Sequence, residues 1–346
     1  MSDYEILQLD NFVLQSGVTL SPARLAYQAY GVLNSARDNA ILMPTFFGGQ
    51  HMDTELMMAP GRALDPDRFF IIVPNILGNG LSSSPSNTLP PFDRASFPNV
   101  SLYDNVRCQH LLVTEHLGID HLRLVVGFSM GAQLAFQWGA LYSEMVDAIA
   151  PICGSARTSP HNYLLLDAAR IALTTDAAFR EGWYATPPIK GLLAFCRVYC
   201  SLVFAPGFFR EREYQKLGLA SPEDTMRFFE GFFRQRDAND LMATLWTWQN
   251  ADISANEVYK GDFPSALRAI KARTVVMPSE GDLLFDVGGS EFEIQHMPIA
   301  ELKIIRSSWG HIAGYGANPP DNQFIDAVLD KLLVRDAIRT GGSLAS

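Results

Sequence analysis

The chain has 346 residues, of which 48% are hydrophobic and only 18% are charged, so it can bury a large core and is neither disordered nor fibrous. Its 27 basic and 37 acidic residues give a net charge of −10, and no run of Lys or Arg stands out. Because nucleic acid binding requires a basic surface, we exclude nucleic acid as a partner.

No targeting or membrane segment is predicted. Residues 1–5 lack the basic start and the apolar run of a signal peptide. The most apolar stretch, residues 192–209, is interrupted by Arg197 and Pro206 and is too short to span a bilayer. We therefore expect a cytoplasmic protein that binds no membrane. Its four cysteines have no CxxC spacing, so we expect buried, reduced thiols and no metal site.

Short apolar runs alternate with helical patterns in the first part of the chain. Residues 40–43, 69–73 and 122–126 have the aliphatic and β-branched character of buried strands. Between the last two, apolar side chains recur at helical spacing over residues 103–117, and Gly118 follows as a helix stop. This order of strand, helix and strand predicts a parallel sheet with right-handed crossovers.

A helical segment rich in aromatic residues interrupts this pattern after about residue 155. Strand patterns return at residues 274–277 and 302–305, and a closing helix is predicted at residues 324–333. The simplest arrangement is one α/β domain with a helical lid inserted late in its sheet. The predicted division is a core of residues 1–155 and 267–346 and a lid of residues 156–266.

The strongest local motif is Gly127-Phe128-Ser129-Met130-Gly131, which matches the G-x-S-x-G nucleophile elbow of α/β-hydrolases. An apolar strand pattern precedes it, and a helical pattern over residues 133–141 follows it. In such a turn the serine adopts a strained backbone conformation, and side chains two residues to either side would collide. The serine hydroxyl then lies at a helix N-terminus, where backbone amides stabilise negative charge. We therefore predict that Ser129 is a nucleophile.

A serine hydroxyl needs a base that an acid orients, and this fold places them in the order Ser, acid, His. His311, which follows the last predicted strand, is the only histidine with the right order and setting. Asp282 follows the preceding strand, but Glu280 and Asp286 are close by, and position alone does not decide among the three. The histidines that we interpret as structural, helical or loop residues are His51, His110, His116, His121, His161 and His296.

An oxyanion hole requires two backbone amides directed at the developing oxyanion. The first is predicted to be that of Met130, directly after the nucleophile. The second should come from the loop at residues 44–49, where Phe46 is the first choice and Thr45 the alternative. The residues predicted to line the substrate pocket are Thr45, Phe47, His51, Phe128, Tyr199, Cys200 and Ile312.

Further motifs are spread over almost the whole chain. They are Tyr30-Gly31-Val32-Leu33-Asn34, Pro60-Gly61-Arg62-Ala63-Leu64-Asp65 with Arg68-Phe69-Phe70, Asn75-Ile76-Leu77-Gly78, Phe97-Pro98 with Asp104, Val106 and Gln109, Arg236-Asp237-Ala238-Asn239, and Gly281-Asp282-Leu283-Leu284-Phe285. Together they resemble the homoserine O-acetyltransferase family of α/β-hydrolases. The resemblance implies an α/β-hydrolase fold with a mostly parallel sheet and a helical lid. It favours Asp282 as the acid and implies a homodimer formed through the lid.

Four residues depart from the family pattern. Phe128 and Ala132 replace glycines of the family's elbow motif, Ile312 replaces an aspartate after the catalytic histidine, and Cys200 replaces an arginine in the lid. In that family the arginine and the aspartate hold the carboxylate and the amine of homoserine. Without them the desolvation of a zwitterion is not offset, so we predict that this protein does not acetylate homoserine efficiently.

These observations leave two main functions open, both through an acyl-Ser129 intermediate. Hydrolysis of an apolar ester, with no cofactor, is slightly favoured because the homoserine site is altered. The alternative is transfer of an acyl group from acetyl-CoA or another acyl-CoA co-substrate to a different alcohol, because a lid that excludes water favours transfer. A receptor without enzymatic activity is the remote third class.

Overall fold

A computed structural model of the protein describes residues 3–334, so residues 1–2 and 335–346 of the predicted core lie outside it. Within the described part, eight strands form one sheet in the order β1-β4-β6-β5-β7-β8-β9-β10, and β2 pairs with β3 apart from it. The strands are β1 (Glu5–Leu9), β2 (Phe12–Val13), β3 (Thr19–Leu20), β4 (Ala23–Tyr30), β5 (Ala40–Leu42), β6 (Phe70–Pro74), β7 (Leu124–Phe128), β8 (Ala148–Ile152), β9 (Arg273–Val276) and β10 (Ala300–Leu302).

In the described part of the chain, one α-helix lies between β6 and β7, one lies between β7 and β8, and six form a continuous block between β8 and β9. The α-helices are α1 (Leu102–Leu111), α2 (Met130–Leu141), α3 (Pro160–Thr174), α4 (Ile189–Val203), α5 (Pro206–Arg210), α6 (Pro222–Phe233), α7 (Ala238–Gln249), α8 (Phe263–Arg268), α9 (Val287–Ile294) and α10 (Pro319–Leu333).

The centre of the sheet is parallel and fully buried. The pairs from β6 through β5, β7, β8 and β9 to β10 are parallel, whereas β1 and β4 join the edge in antiparallel pairs. Strands β5, β7 and β8 are buried along their whole length, with no exposed polar face. Helices cover both faces of such a sheet, and its strands therefore consist of nearly continuous apolar residues.

The strand predictions are correct in place and shifted by a few residues at their ends. The largest shift affects the strand predicted at residues 302–305, since β10 ends at Leu302 and Ile305 makes only an isolated bridge to Ser279. Strand β8 was not predicted because it contains Pro151, and proline is rare in central strands. In the structure Pro151 contributes its carbonyl, which accepts a hydrogen bond from the Met277 N–H at 2.9 Å.

Helices α3 to α7 lie in the segment predicted as a lid, and α8 crosses its predicted end at residue 266. The division of the chain at residues 156 and 266 stays a prediction. The segment begins where β8 ends, and Ala156 accepts a hydrogen bond from the Ile253 N–H at 3.1 Å. Helix α7 is fixed to the core, because the Thr247 hydroxyl donates to the Val100 carbonyl at 2.7 Å. None of the helices between residues 3 and 334 has the length and apolarity needed to cross a bilayer.

Candidate active site

Ser129 lies on a tight turn between β7 and α2. Its backbone angles, φ 58° and ψ −123°, are unusual for a residue with a side chain. A Cβ atom on Gly127 would lie 2.2 Å from the Gly131 carbonyl, and one on Gly131 would lie 2.7 Å from the Pro44 oxygen. The same restriction applies at Gly154, where a Cβ atom would lie 2.6 Å from the backbone carbonyl oxygen of Ser129. The glycines of the motif are therefore required by the close approach of the backbone.

His311 links Ser129 to Asp282. Its Nε2 lies 2.9 Å from the Ser129 Oγ, and its Nδ1 lies 2.7 Å from the Asp282 Oδ2. A carboxylate only accepts hydrogen bonds, so we assign the proton of the neutral imidazole to Nδ1, which leaves Nε2 free to accept the serine proton. The three side chains have the geometry of a nucleophile, a base and an orienting acid.

Asp282 is fixed by its own loop. Its Oδ1 accepts hydrogen bonds from the backbone N–H groups of Leu284, at 2.8 Å, and Phe285, at 3.1 Å. The side chains of Asp282 and His311 are 0% and 1% exposed, so water does not compete for their hydrogen bond. Both oxygens of the carboxylate are thus engaged, and the imidazole can adopt only one orientation.

The imidazole of His311 lies between two aromatic rings. The ring of Phe128 is 4.8 Å away, and that of Phe285 is 5.6 Å away and roughly parallel. The indole of Trp248, from lid helix α7, stacks on the ring of Phe285 with 5.5 Å between the ring centroids. The imidazole is therefore packed against apolar groups from the core and, through Phe285, from the lid.

The loop at residues 44–49 lies against the start of α2, where the Gly131 backbone approaches the Pro44 carbonyl. The Thr45 N–H is occupied, because it donates to the Pro74 carbonyl at 3.2 Å, and the Thr45 hydroxyl accepts from the Ile76 N–H at 3.1 Å. Within residues 3–334 neither the Phe46 N–H nor the Met130 N–H donates to a protein acceptor. This favours Phe46 over Thr45 as the second oxyanion donor, with Thr45 joining β5 to β6.

Several of the predicted pocket residues pack against one another. The ring of Phe46 contacts that of Phe128 at 5.4 Å, and the next residue, Phe47, contacts Tyr199 and Trp248, each at 5.5 Å. Burial raises the pKa of Tyr199 far above its usual value, and the nearby Asp282 carboxylate adds to that shift, so the phenol stays neutral. The core and the lid thus share one aromatic wall.

Cys200 and Ile312 lie on uncharged walls close to the triad. Cys200 is buried on α4, and burial raises the pKa of its thiol to about 12, which keeps it protonated. It borders an apolar cavity of about 220 Å³ that also includes Leu283, the residue after Asp282. Ile312 directly follows His311 in the 3₁₀ turn Gly310–Gly314 and is partly buried against the core.

His51 is the predicted pocket residue that the structure places elsewhere. Its Nδ1 lies 3.3 Å from the Asn75 Nδ2, and its Nε2 lies 3.4 Å from an Asp3 carboxylate oxygen. Its ring also contacts that of Tyr4. The buried imidazole therefore packs under the N-terminal segment, beside the loop rather than over the nucleophile.

The other acids and histidines that were weighed against Asp282 and His311 contact other parts of the protein. Asp286 caps helix α9, where its Oδ1 accepts from the Gly289 N–H at 2.9 Å, and Glu280 is exposed. Among the other histidines, His116 contacts the Tyr27 hydroxyl, His121 pairs with Asp147, and His110 stacks on a tyrosine. Of the candidate acids and bases, Asp282 and His311 are the two that reach Ser129.

Between residues 3 and 334, no group of three or more His, Cys, Asp or Glu side chains is placed to hold a metal ion. All four cysteines are buried and unpaired. Burial raises the pKa of Cys108 and Cys196 to about 12, as it does for Cys200.

Sequence reasoning missed three residues that surround the site. The ring of Tyr315 contacts the rings of Phe46, at 5.6 Å, and Phe128, at 5.8 Å. Its position in a turn, four residues after His311, indicates that it lies near the site. The sequence indicates Phe285 only as part of a family motif, and Trp248 is one of the aromatic residues of the helical segment after residue 155. Nothing in the sequence shows that these last two rings stack beside the imidazole.

Comparison with known proteins places this geometry in a family. The sequence profile of the alpha/beta hydrolase fold matches residues 41–315. The chain belongs to the α/β-hydrolase fold family. It is 37% identical over 337 residues to an ethyl acetate hydrolase of Pseudomonas veronii, covering 95% of each chain. It is 32% identical to a homoserine O-acetyltransferase of Trichormus variabilis, covering 87% of each chain.

Among solved structures, that of the acetyl esterase MekB is similar, with a TM-score of 0.93 and 37% sequence identity. The similarity covers 96% of this chain and 97% of that chain. The resemblance to the homoserine O-acetyltransferases and the predicted fold are both confirmed, and esterases are among the relatives as well. The protein is a hydrolase or acyltransferase of the α/β-hydrolase fold.

Proposed function

We propose that this protein is a serine esterase in which Ser129 is the nucleophile, His311 the base and Asp282 the orienting acid. The observation that carries the proposal is the continuous set of hydrogen bonds from Asp282 through both ring nitrogens of His311 to the Ser129 Oγ, at 2.7 and 2.9 Å. The relatives named ethyl acetate hydrolase and acetyl esterase support a short acyl group, such as acetyl, in the substrate.

In the first half of the reaction, the Ser129 Oγ attacks the ester carbonyl, and its proton passes to the Nε2 of His311. The carbonyl oxygen becomes an oxyanion, which accepts hydrogen bonds from the N–H groups of Phe46 and Met130. When the C–O bond of the alcohol breaks, His311 returns the proton to the leaving oxygen. Asp282 stabilises the imidazolium while it exists, and the product is acyl-Ser129.

In the second half, a water molecule attacks the acyl-Ser129 carbonyl. His311 takes a proton from this water, the same two amides hold the new oxyanion, and the bond to the Ser129 Oγ breaks. His311 then protonates the serine, and the carboxylic acid leaves. Every proton in the cycle moves through one nitrogen, the Nε2 of His311, and the reaction needs no cofactor.

The walls of the site suit an uncharged substrate. Cys200 and Ile312 stand where the homoserine O-acetyltransferases are understood to hold their substrate through an arginine and an aspartate. A neutral thiol and an aliphatic side chain cannot offset the desolvation of an ammonium or a carboxylate group. Acetyl transfer from acetyl-CoA to homoserine at the rates of those relatives would contradict this conclusion.

The apolar cavity beside Cys200 is a suitable place for an alkyl part of the ester. It lies between lid helices α4, α5 and α6 and the loop after Asp282, and most of its lining is hydrocarbon or sulfur. Apolar surface that enters such a cavity contributes about 25 cal/mol per Å² of binding free energy. We therefore expect kcat/KM to depend on the length of the alkyl chain.

A second candidate is O-acyl transfer to an alcohol other than homoserine. Burial favours it, because Ser129 is 2% exposed, and a site that excludes water protects an acyl-enzyme from hydrolysis. In this case acyl-CoA is a co-substrate, and the alcohol replaces water in the second half of the reaction. The relatives named as homoserine O-acetyltransferases share the same first half.

One experiment separates the two candidates. Purified protein is supplied with ethyl acetate or with acetyl-CoA, each with and without a short alcohol, and the products are measured. The esterase proposal predicts release of acetate from ethyl acetate without any CoA compound. If acetyl transfer from acetyl-CoA to the alcohol is faster than ester hydrolysis, the esterase proposal is wrong and the protein is an acyltransferase. A Ser129→Ala variant that keeps either activity would overturn the nucleophile assignment.

The predicted cytoplasmic location and the predicted homodimer belong to the same proposal. Aromatic and aliphatic side chains are exposed on the lid, for example Leu164 on α3 and Phe228 on α6. Such side chains are compatible with a lid-mediated dimer. Light scattering of the purified protein, with Phe228→Ser as the test variant, distinguishes a dimer from a monomer.

A further inference from the structure

Arg236, in the turn between lid helices α6 and α7, reaches the loop that carries Phe46. Its Nε donates a hydrogen bond to the Gly48 carbonyl at 2.7 Å, and its Nη2 donates to the Asp53 carboxylate at 2.8 Å. The side chains of Arg236 and Asp53 are only 13% and 17% exposed. This is therefore a directed, largely buried pair that crosses from the lid to the core, unlike the exposed ion pairs that contribute little.

The carbonyl that Arg236 holds belongs to a tight turn. The Gly49 N–H donates to the Phe46 carbonyl at 3.0 Å, which closes the turn of residues 46–49. Gly48, the third residue of this turn, has a φ of +68°, a conformation that favours glycine. The lid packs on Gly48, and a Cβ atom there would lie 3.4 Å from the ring of Phe233. The guanidinium thus binds this turn at Gly48, two residues after Phe46.

Asp53 connects the same guanidinium to the other end of the loop. The carboxylate oxygen that receives Arg236 also accepts the Gln50 N–H at 2.8 Å. Asp53 lies in the 3₁₀ turn His51–Met57, directly after the loop. Arg236 and Asp53 therefore form a bracket that holds the backbone of residues 48–50 on both sides.

We propose that Arg236 is a positioning residue for the oxyanion hole, and that it couples the seating of the lid to the orientation of the Phe46 N–H. The inference rests on the proposed function, which gives that N–H its role. Oxyanion donors act by being fixed before the charge develops, so a small displacement of the donor lowers the rate. A planar guanidinium can hold two acceptors at fixed angles, whereas the ammonium group of lysine cannot.

The test compares Arg236→Lys and Arg236→Ala with Arg197→Ala. Arg197 is a matched control, because it is a lid arginine whose Nε and Nη2 pair with Glu230 and Glu223 on the exposed face of the lid. For each variant, kcat and KM are measured on ethyl acetate. The affinity is also measured for a trifluoromethyl ketone, whose adduct with Ser129 places an oxyanion in the hole, and for the corresponding methyl ketone.

We expect Arg236→Lys to lower kcat about tenfold, part of the roughly hundredfold cost of losing an oxyanion donor, while KM changes less than about threefold. The affinity for the trifluoromethyl ketone should fall by the same factor as kcat, and that for the methyl ketone should not. Arg197→Ala should resemble the wild type in all four measurements. A merely structural role would not separate the two ketones.

Arg236→Lys with unchanged kcat and unchanged trifluoromethyl ketone affinity would overturn the inference while the esterase proposal stands. A loss of kcat that leaves the affinity for the trifluoromethyl ketone intact would also overturn it. If Arg236→Ala unfolds, Arg236→Lys and Asp53→Asn decide the matter, since each retains part of the bracket. A wild-type protein that hydrolyses no ester would instead overturn the proposed function, and this inference with it.

Discussion

The core and the lid contribute to the site in different ways. The core supplies Ser129, Asp282 and His311 from the segments that follow three parallel strands, and His311 lies within hydrogen-bonding distance of both other side chains. The lid supplies rings, the neutral wall at Cys200 and the Arg236 bracket. We propose that the sheet supplies the chemistry and that the insertion contributes to the choice of substrate. An enzyme of this kind can change its substrate while it keeps its triad.

The largest effect that this comparison predicts concerns the nucleophile in the core. Ser129→Ala should lower kcat for ester hydrolysis by about 10⁴ or more, because no other group can form the acyl-enzyme. The measurement is the rate of acetate release, with the fold checked by circular dichroism. Ser35→Ala, at an exposed position in the loop between β4 and β5, should leave the rate unchanged. Equal rates for both variants would place the chemistry elsewhere.

The acid should give the next effect. Asp282→Asn keeps the shape of the side chain but no longer fixes the proton on the Nδ1 of His311, so we expect kcat to fall by about 10³ to 10⁴. Asp286→Asn is the control, since Asp286 caps α9 and should affect stability alone. The kcat values of the two variants, measured with one ester, decide between the rivals. A larger loss of kcat in Asp286→Asn would reverse the assignment.

The lid side of the comparison is tested at Cys200, where substrate length should matter. Cys200→Phe fills the apolar cavity, and we expect kcat/KM for a butyl ester to fall about tenfold relative to that for an ethyl ester. Cys200→Ala widens the same space and should change that ratio less than about threefold. The two variants control for each other, because both remove the thiol. An unchanged ratio in Cys200→Phe would show that the cavity does not bind the alkyl chain.

The smallest effect concerns the point where the lid leaves the core. Glu293 on α9 is buried and accepts the Ala156 N–H at 2.7 Å, and burial raises its pKa to about 8. The folded protein therefore keeps a proton that the unfolded chain loses above its ordinary pKa of 4.5. This contribution to stability is complete below that value and is lost as the pH rises towards 8.

Glu293→Gln keeps the acceptor and cannot ionise, so it should flatten this decline. We expect its Tm to exceed that of the wild type by about 2–4 °C at pH 8, with little difference at pH 5. Thermal melts at the two pH values provide the measurement. Glu291→Gln, on the exposed face of the same helix, should not alter the pH dependence. A wild-type Tm that is constant from pH 5 to pH 8 would count against a raised pKa.

Much of the core could be predicted from the sequence because its determinants are local. A buried strand consists of a run of apolar residues, and the elbow requires Gly127 and Gly131 for steric reasons that act within a few residues. The order of Ser129, Asp282 and His311 then follows from the topology. Strand β8 escaped prediction because Pro151 contradicts the local pattern, and the antiparallel strands β1 and β4 because long-range pairing places them.

The lid was less predictable because the contacts that place it are not local. Its helices could be recognised from periodicity, but their positions relative to the triad depend on contacts between residues that are far apart in the chain. Trp248 stacks on Phe285, and Arg236 reaches Gly48 across 188 positions. The position of His51 was equally hard to predict, because its contacts Asp3 and Tyr4 come from a segment far away in the chain. The family motifs indicated a lid and the loss of its arginine at Cys200. They did not indicate how the lid packs on the core.

The central claim is that esters react through an acyl group on Ser129, and it can be tested directly by rapid-quench mass spectrometry. The protein is mixed with p-nitrophenyl acetate, quenched in acid within the first turnovers and digested. We predict that the peptide containing Ser129 gains the mass of one acetyl group in the wild type and loses it again as hydrolysis proceeds. Acetylation of another residue, or an equal signal in Ser129→Ala, would contradict the account.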